Sequence, residues 1–429
     1  MKTRRRSDSV KSGNAAEPRH LKAAADRLIL AAAGDLVGPE VLLVLLHGTT
    51  LASALREQRP DLNFTFYTPE HFFLTTLQEF HPECRPPATD AALSAAKKLA
   101  PAEPAPGQPA PGQPAPGNSV GEVPQVLLEG TVGPLHTRIR LVCSSDLPMH
   151  EFDTVVIPVS ATGTAEQTQE LLQTAHQRLR DGGLLIAATD NPGDKWLHQR
   201  LTEIFDRATV RNQRDGVLYL TRRTGSLKRV RDFTASCGFR FLDRVVLIET
   251  RPGVFSHRRI DGGARALIHS LSRLNSDGRD GEAGGPVGEF RPRAIVDLGC
   301  GSGAVAVAAG LMFPEAHVLA MDSHARAVAC TAANAARNQI DRFEVCLASD
   351  AVLPRPGSWD LILTNPPYYS DYRISELFLQ AARHGLRRRG RIHLVTKLTD
   401  WHVTRMNQLF RHVVIHEIGE YKVLTAEKA

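Results

Sequence analysis

Long apolar runs are missing from this sequence. Stretches such as residues 41–46 fall far short of the roughly 20 apolar residues that are needed to cross a bilayer. Residues 1–6 are basic at several positions, and no hydrophobic segment of the signal-peptide type follows them. We therefore expect a cytoplasmic protein without a membrane partner.

Closely spaced cysteines are missing as well. The six cysteines show neither CxxC pairs nor the tight spacing of a small disulfide framework. This pattern indicates free thiols in a reducing compartment and argues against a zinc site, so we expect no metal. The six are Cys84, Cys143, Cys237, Cys300, Cys330 and Cys346.

The composition is that of an ordinary folded protein with a mild excess of positive charge. Hydrophobic residues make up 42% and charged residues 23% of the 429 residues, which predicts buried cores and leaves room for two α/β domains. The net charge is +6, with basic runs at 2–6, 228–231 and 387–391. Such runs permit a polyanionic partner, but they are equally typical of solvated surfaces.

The chain divides into a short tail and two predicted domains. Residues 1–20 form a basic flexible tail, and residues 21–225 alternate strand-like runs with helical patterns, which is typical of βα units on a parallel sheet. A Pro-rich repeat at 101–118 is predicted to be a flexible insertion in a surface loop. Residues 226–429 form the second domain, with a Gly-rich linker at 275–288.

The two halves resemble each other, which indicates an internal duplication. Both contain a strand that begins near an aspartate, then a helix, then a Gly-containing strand, and the spacing from Asp153 to Gly182 is close to that from Asp360 to Gly390. The polar signature at 297–303 of the second half is matched by Val-Leu-Leu-His-Gly-Thr-Thr at 44–50 in the first. We therefore expect the first copy to have lost cofactor binding.

A glycine-rich turn outlines a nucleoside pocket in the second half. The apolar strand at 294–298 runs into the turn and then into an Ala-rich helix, whose first N–H groups are free to meet a ligand. About 20 residues further on, Asp322 ends the next strand, where an acid binds ribose hydroxyls in nucleotide folds. Asp297 suits the methionine part of a cationic sulfonium cofactor, and Asp350 suits the adenine amino group or, alternatively, a helix N-cap. The candidate cofactor residues are Asp297, Gly299, Cys300, Gly301, Gly303, Asp322, Asp350 and Asn365.

The motif Asn365-Pro-Pro-Tyr368 is the strongest indication of chemistry. It follows the fourth strand, where open α/β sheets bind ligands, and its prolines stiffen the loop. The Asn365 amide oxygen and the Pro366 carbonyl would both accept protons from one planar NH₂ group, which favours its attack on an activated methyl. Tyr368 would stack on a flipped-out base. The predicted catalytic residues are Asn365, Pro366, Pro367 and Tyr368, with Phe255 and Tyr369 as weaker substrate contacts.

These motifs together resemble the bacterial ribosomal RNA guanine-N2-methyltransferases that have two methyltransferase-like domains, the first degenerate. The Pro-Gly-Val-Phe-Ser segment at 252–256, followed by Asp261, is the most discriminating piece, and residues 420–426 are similar to the family's closing strand. The sequence departs from the family after the prolines, where Tyr368-Tyr-Ser370 replaces Phe and then His.

The resemblance implies an α/β chain of two tandem Rossmann-like class I methyltransferase domains, with the first domain holding RNA or stabilising the second. It implies S-adenosylmethionine as cofactor and guanine N2 in ribosomal RNA as acceptor, 16S being favoured over 23S. The predicted partner is ribosomal RNA or a ribosomal subunit, bound by a monomer. Three alternatives stay open: N5-glutamine methylation of a release factor, adenine-N6 methylation of nucleic acid, and a non-catalytic RNA-binding or ribosome-assembly factor.

Overall fold

The computed structural model describes residues 21, 23–87, 125–273, 290–367 and 371–429. The predicted basic tail, the Pro-rich insertion and the Gly-rich linker all lie outside these ranges, as do Tyr368 and Tyr369. Within the described residues, no helix is both long and apolar enough to span a membrane.

The first half of the chain builds an eight-stranded sheet. Its strands are β1 (Glu40–Val44), β2 (Asn63–Thr68), β3 (Val126–Val132), β4 (Thr137–Cys143), β5 (Phe152–Val159), β6 (Leu179–Thr189), β7 (Thr209–Gln213) and β8 (Gly216–Arg222). They lie in the order β3-β4-β2-β1-β5-β6-β8-β7. Its five inner strands are parallel, and they contain all the apolar runs from which strands were predicted. At its edges the sheet departs from the predicted parallel arrangement, because β3 and β8 run antiparallel to these five strands and β7 pairs antiparallel with β8. β7 and β8 are joined by a tight hairpin, and a connection this short permits only antiparallel pairing.

Helices cover both faces of this sheet. In β1, Leu43 packs into one core with the first three helices, whereas Leu42 packs on the opposite face with the next two. Burial on both faces explains why β1 is continuously apolar after Glu40 rather than alternating. The helices are α1 (Ala24–Ala31), α2 (Thr50–Gln58), α3 (His71–Phe80), α4 (Ala165–Arg178) and α5 (Trp196–Phe205).

A hairpin and a second sheet form the rest of the described chain. The hairpin pairs β9 (Ala235–Phe241) with β10 (Arg244–Thr250), and its Val246 and Ile248 pack into one core of the second sheet. The strands of that sheet are β11 (Ala294–Leu298), β12 (His317–Asp322), β13 (Phe343–Leu347), β14 (Trp359–Thr364), β15 (Leu386–Thr396), β16 (Arg411–Ile418) and β17 (Tyr421–Glu427). Its helices are α6 (Gly262–Arg273), α7 (Ala304–Met312), α8 (Ala325–Arg337), α9 (Arg373–Gly385) and α10 (Thr399–Leu409).

The strand order of the second sheet repeats that of the first. It runs β13-β12-β11-β14-β15-β17-β16, so every strand of the first sheet except β3 has a counterpart in the same place. The predicted tandem Rossmann-like architecture is confirmed. The strand pairing corrects the predicted alignment of the two halves by one residue. Val44, the last residue of β1, pairs with Tyr67, and Leu298, the last residue of β11, pairs with Met321, so Val44 corresponds to Leu298. Leu43, rather than Val44, is therefore the counterpart of Asp297.

The two halves meet through matching corners. The corner after β2 and the corner after β12 exchange backbone hydrogen bonds, from His71 N to Ser323 O (2.8 Å) and from Ala325 N to Pro69 O (2.7 Å). Because each donor is the first residue of the helix that follows its strand, the contact is close to symmetric. The first half is thus joined directly to the loop that follows Asp322.

Candidate active site

The turn between β11 and α7 needs its glycines. Gly299, Gly301 and Gly303 have φ values of +76°, +56° and +83°, a region that residues with a Cβ rarely adopt. Gly299 N and Cys300 N both donate to Met321 O, at 2.9 and 3.0 Å, which holds the turn against the end of β12. A Cβ on Gly301 would meet no atom of the described residues within 4 Å, so the backbone faces open space there.

Asp322 is hydrogen-bonded to this turn, as its position in the sequence suggested. Its Oδ2 accepts from Gly301 N at 2.9 Å, and its Oδ1 accepts from His324 N at 2.9 Å. The side chain is half-buried, and burial raises the pKa of its carboxyl group. The acid and the open glycine backbone therefore stand side by side, the arrangement that a ribose would need.

Asp297 is enclosed beneath the same turn. It is 2% exposed, and burial raises its pKa to about 7. Its Oδ2 finds no hydrogen-bond partner in the part of the chain that the structure describes. A buried acceptor without a donor is costly, and a cationic ligand would relieve that cost. The orphaned carboxylate oxygen and the open space at Gly301 thus fit a positively charged nucleoside such as S-adenosylmethionine.

Cys300 contributes its backbone to the turn and not a reactive thiol. Its side chain is buried, and its Sγ accepts a hydrogen bond from Thr331 Oγ1 of α8 at 3.4 Å. Burial raises the pKa of the thiol well above its usual value, which keeps it protonated. A covalent mechanism through this cysteine is therefore not supported.

Asp350 lies in an exposed loop beyond β13. Its Oδ1 accepts from Val352 N at 3.0 Å, and residues 351–358 contain no helix, so the alternative interpretation as a helix N-cap is wrong. The neighbouring Ser349 Oγ is 3.0 Å from His71 Nδ1 of the first half. The role of Asp350 toward adenine stays a prediction.

Asn365 stands at the end of β14, next in the sheet to β11 and its glycine turn. Thr364 Oγ1 donates to Leu298 O at 3.0 Å, which ties the two strand ends together. The Asn365 amide nitrogen donates to Asp261 Oδ2 at 3.0 Å, and Pro366 is buried. The predicted acceptor loop and the predicted cofactor turn therefore lie at the same edge of the sheet.

The segment at 252–256 is fastened to the first half of the chain. Arg251 donates to Asp146 Oδ1 (2.6 Å) and to Glu170 Oε1 (2.9 Å), and Arg326 of α8 bonds both Glu170 and the Pro252 carbonyl oxygen. Phe255 remains 67% exposed, which leaves its ring accessible to a substrate.

Sequence reasoning missed one residue at this site and the contact that another one makes. Phe378 of α9 faces the turn, because a Cβ on Gly299 would come within 3.3 Å of its ring. Asp261, which the sequence marked only as the acid after the segment at 252–256, precedes α6 and contacts Asn365. An aspartate directly before a helix is a recognisable N-cap signal, but nothing in the sequence links it to a residue 104 positions away.

Comparison with known proteins finds similarity to methyltransferases in this region. Residues 245–425 match the methyltransferase small domain. A ribosomal RNA large subunit methyltransferase G of Shewanella sp. (strain W3-18-1) is 30% identical over 194 residues, which are 42% of this chain and 46% of that protein. A ribosomal RNA small subunit methyltransferase C of Pseudomonas entomophila is 32% identical over 157 residues, which are 36% of this chain and 42% of that protein. The chain thus spans about half the length of the curated relatives that it matches.

One solved structure matches both halves. It is a 16S rRNA N2 methyltransferase of T. thermophilus in complex with AdoMet and guanosine, with a TM-score of 0.63 and 19% identity over 95% of this chain and 94% of that one. At this identity the likeness establishes a shared fold. The shared fold, the match of residues 245–425 to the methyltransferase small domain and the glycine turn beside Asn365 all concern the same region of the chain.

Proposed function

We propose that this protein transfers the methyl group of S-adenosylmethionine to the exocyclic N2 of a guanine in ribosomal RNA, 16S being favoured over 23S. The observation that supports this most directly is the position of Asn365, at the end of β14 and beside the glycine turn, with its amide nitrogen bound to Asp261. The relatives named for ribosomal RNA methylation support the same acceptor class.

The cofactor would lie along the turn after β11. Gly299, Gly301 and Gly303 let the ligand approach the backbone, Asp322 would accept from the ribose hydroxyls, and Asp350 would accept from the adenine amino group. Asp297 Oδ2 would face positive charge on the methionine part, where it gains the partner that it lacks. When bound, the cofactor supplies an activated methyl group on a sulfonium centre.

The acceptor base would be held by the Asn365 loop. Asn365 Oδ1 and the Pro366 carbonyl would accept the two N2 protons, which makes the nitrogen more pyramidal and disperses the positive charge that develops during attack. Pro366 and Pro367 fix the loop, so that the amine is held in line with the methyl group. Tyr368 would stack on the base, with Tyr369 and Phe255 as further substrate contacts.

The first half would serve RNA binding and support rather than catalysis. In place of the three glycines, its corresponding turn has Leu45, His47 and Thr49, and Thr68 stands where the second half has Asp322. The net charge of +6 suits a polyanionic partner such as ribosomal RNA. We place this activity in the cytoplasm, in a monomer.

A labelling experiment tests the proposal. The protein is incubated with methyl-labelled S-adenosylmethionine and, separately, with small subunits, large subunits and release factor, each isolated from cells without this protein. We expect label in 16S RNA, recovered after digestion as N2-methylguanosine. Label in 23S RNA would correct the subunit, and label in adenine or in a release-factor glutamine would replace the acceptor. Cofactor-independent RNA binding without any label would favour the assembly factor.

A further inference from the structure

Asp261 and Asn365 form a pair that joins the start of α6 to the end of β14. Asn365 Nδ2 donates to Asp261 Oδ2 at 3.0 Å. The same carboxylate oxygen accepts from Gly263 N at 2.8 Å and from Ala264 N at 3.3 Å, in the first turn of α6. The carboxylate is therefore held by the helix before it meets the asparagine.

This contact fixes which end of the Asn365 amide faces the carboxylate. A primary amide has one acceptor end and one donor end, and flipping it exchanges them. A carboxylate at neutral pH only accepts hydrogen bonds, so the NH₂ end must face Asp261 and the oxygen must point elsewhere. In addition, the negative charge at the NH₂ end polarises the amide and strengthens Oδ1 as an acceptor.

Gly263 leaves room for the Asn365 amide against the backbone of α6. A Cβ on Gly263 would lie 2.8 Å from Asn365 Oδ1 and 2.9 Å from Nδ2, closer than real Cβ contacts come. The absence of a side chain at 263 thus lets the amide pack directly against the helix. Asp261 and Gly263 together define the position and the orientation of Asn365.

We infer that Asp261 is a positioning residue for methyl transfer: it holds the Asn365 amide so that Oδ1 is turned toward the amine of the acceptor. The inference rests on the proposed role of Asn365. It adds a residue that acts through Asn365 without touching the substrate itself. Removing it would lower turnover through misplacement of Asn365 and leave the cofactor turn intact.

The test uses two variants of the full chain. Asp261→Ser keeps a good N-cap for α6 but is too short to reach Asn365, whereas Asp261→Asn keeps an acceptor oxygen of the same length. We expect Asp261→Ser to lower kcat by about 10- to 100-fold, the usual cost of a misplaced group, with the cofactor Kd and the unfolding midpoint near those of the wild type. Asp261→Asn should keep a kcat much closer to that of the wild type than Asp261→Ser does.

A double-mutant cycle separates positioning from general damage. In an Asn365→Ala background, Asp261→Ser should have almost no further effect on kcat, because the group on which it acts is gone. If Asp261→Ser lowers kcat by the same factor in the Asn365→Ala background as in the wild type, or leaves kcat unchanged as a single substitution, the inference is overturned. If the wild type labels an acceptor other than guanine, the proposed function fails, and the same cycle is measured on that acceptor.

A measurement that does not depend on turnover distinguishes failure of the inference on Asp261 from failure of the proposed function. In protein labelled with ¹⁵N-asparagine, the Asn365 side-chain NH₂ signal is assigned by its loss in Asn365→Ala. We expect this signal to shift in Asp261→Ser and to exchange faster with solvent, while signals of other asparagines stay in place. An unchanged Asn365 signal would refute the hydrogen bond, whatever the acceptor proves to be.

Discussion

Asp153 and Asp360 make the same two contacts in the two halves of the chain. Asp153 Oδ2 accepts from the backbone N of Glu40, the first residue of β1, at 3.0 Å, and Asp360 Oδ2 accepts from Ala294 N, the first residue of β11, at 2.9 Å. Each aspartate also pairs with an arginine 27 residues further on, Arg180 and Arg387. Side-chain contacts that recur in this way strengthen the case for an internal duplication beyond the matching strand order.

The two halves differ in the residues of the turn where the cofactor would bind. Thr68 accepts from Glu70 N as Asp322 accepts from His324 N, but a hydroxyl replaces the carboxylate, and His47 stands at the place of Gly301. We therefore predict that one S-adenosylmethionine binds per chain. Isothermal titration calorimetry should give a stoichiometry near one, and Gly301→Val, which fills the open space after β11, should abolish the heat. A second binding event that survives this substitution would show that the first half retains a site.

Cofactor affinity is predicted to rise with pH up to about 7. Burial raises the pKa of Asp297 to about 7, so the free protein holds a proton there below that pH. A bound cation favours the carboxylate, so binding should release this proton below about pH 7 and release none well above it.

The proton release is measured by calorimetry in two buffers of different ionisation enthalpy at about pH 6. Burial also raises the pKa of Asp322 and of Glu70, so the wild type is compared with Asp297→Asn, which removes the contribution of Asp297 alone. The variant should bind more weakly and release fewer protons. Equal proton release in both proteins would exclude Asp297 as the linked group.

The Cys300 thiol is predicted to be dispensable. It is buried, bonded to Thr331, and protonated because burial raises its pKa well above the usual value. Cys300→Ala should keep kcat for methyl transfer within about threefold, since the backbone of the turn supplies the contacts and attack by the amine needs no thiolate. Loss of all activity in a variant that still folds and binds cofactor would instead support a covalent role for this thiol.

Glu170 is predicted to stabilise the contact between the halves. It pairs with Arg251 and with Arg326, whose side chain is 3% exposed. Glu170→Gln would leave a buried guanidinium without its counter-charge, and we expect the free energy of unfolding in urea to fall by about 3 kcal/mol. Glu166→Gln removes the charge from the more exposed pair with Arg258 and keeps an oxygen for the contact with His257, so it is the matched control and should scarcely move the midpoint. Equal effects of the two substitutions would contradict this account of the interface.

Much of the fold and the outline of the site could be predicted from local patterns. Continuous apolar strands such as β1 signal burial on both faces, and the glycines at 299, 301 and 303 mark a turn that only glycine tolerates. Asp322 could be placed because the carboxyl ends of neighbouring parallel strands meet at one edge.

What the sequence could not reveal depends on partners far along the chain. Strand β7 is exposed throughout and has no apolar pattern, so its place in the sheet depends on pairing with β8. Two contacts join segments that are far apart in the sequence and meet only in the folded chain. One is the hydrogen bond between Asp261 and Asn365, and the other is the pair of backbone hydrogen bonds between residues 69–71 and 323–325. The local preferences of residues for helix, strand or turn do not predict such contacts.

The most direct test of the central claim is a map of ribosomal RNA modifications by mass spectrometry, in cells with the gene, without it, and with the Asn365→Ala variant restored. We predict that one N2-methylguanosine, in 16S RNA, is lost without the gene and stays absent with the variant. An unchanged set of N2-methylguanosines, or full restoration by Asn365→Ala, would contradict the assignment of Asn365 to methyl transfer onto guanine.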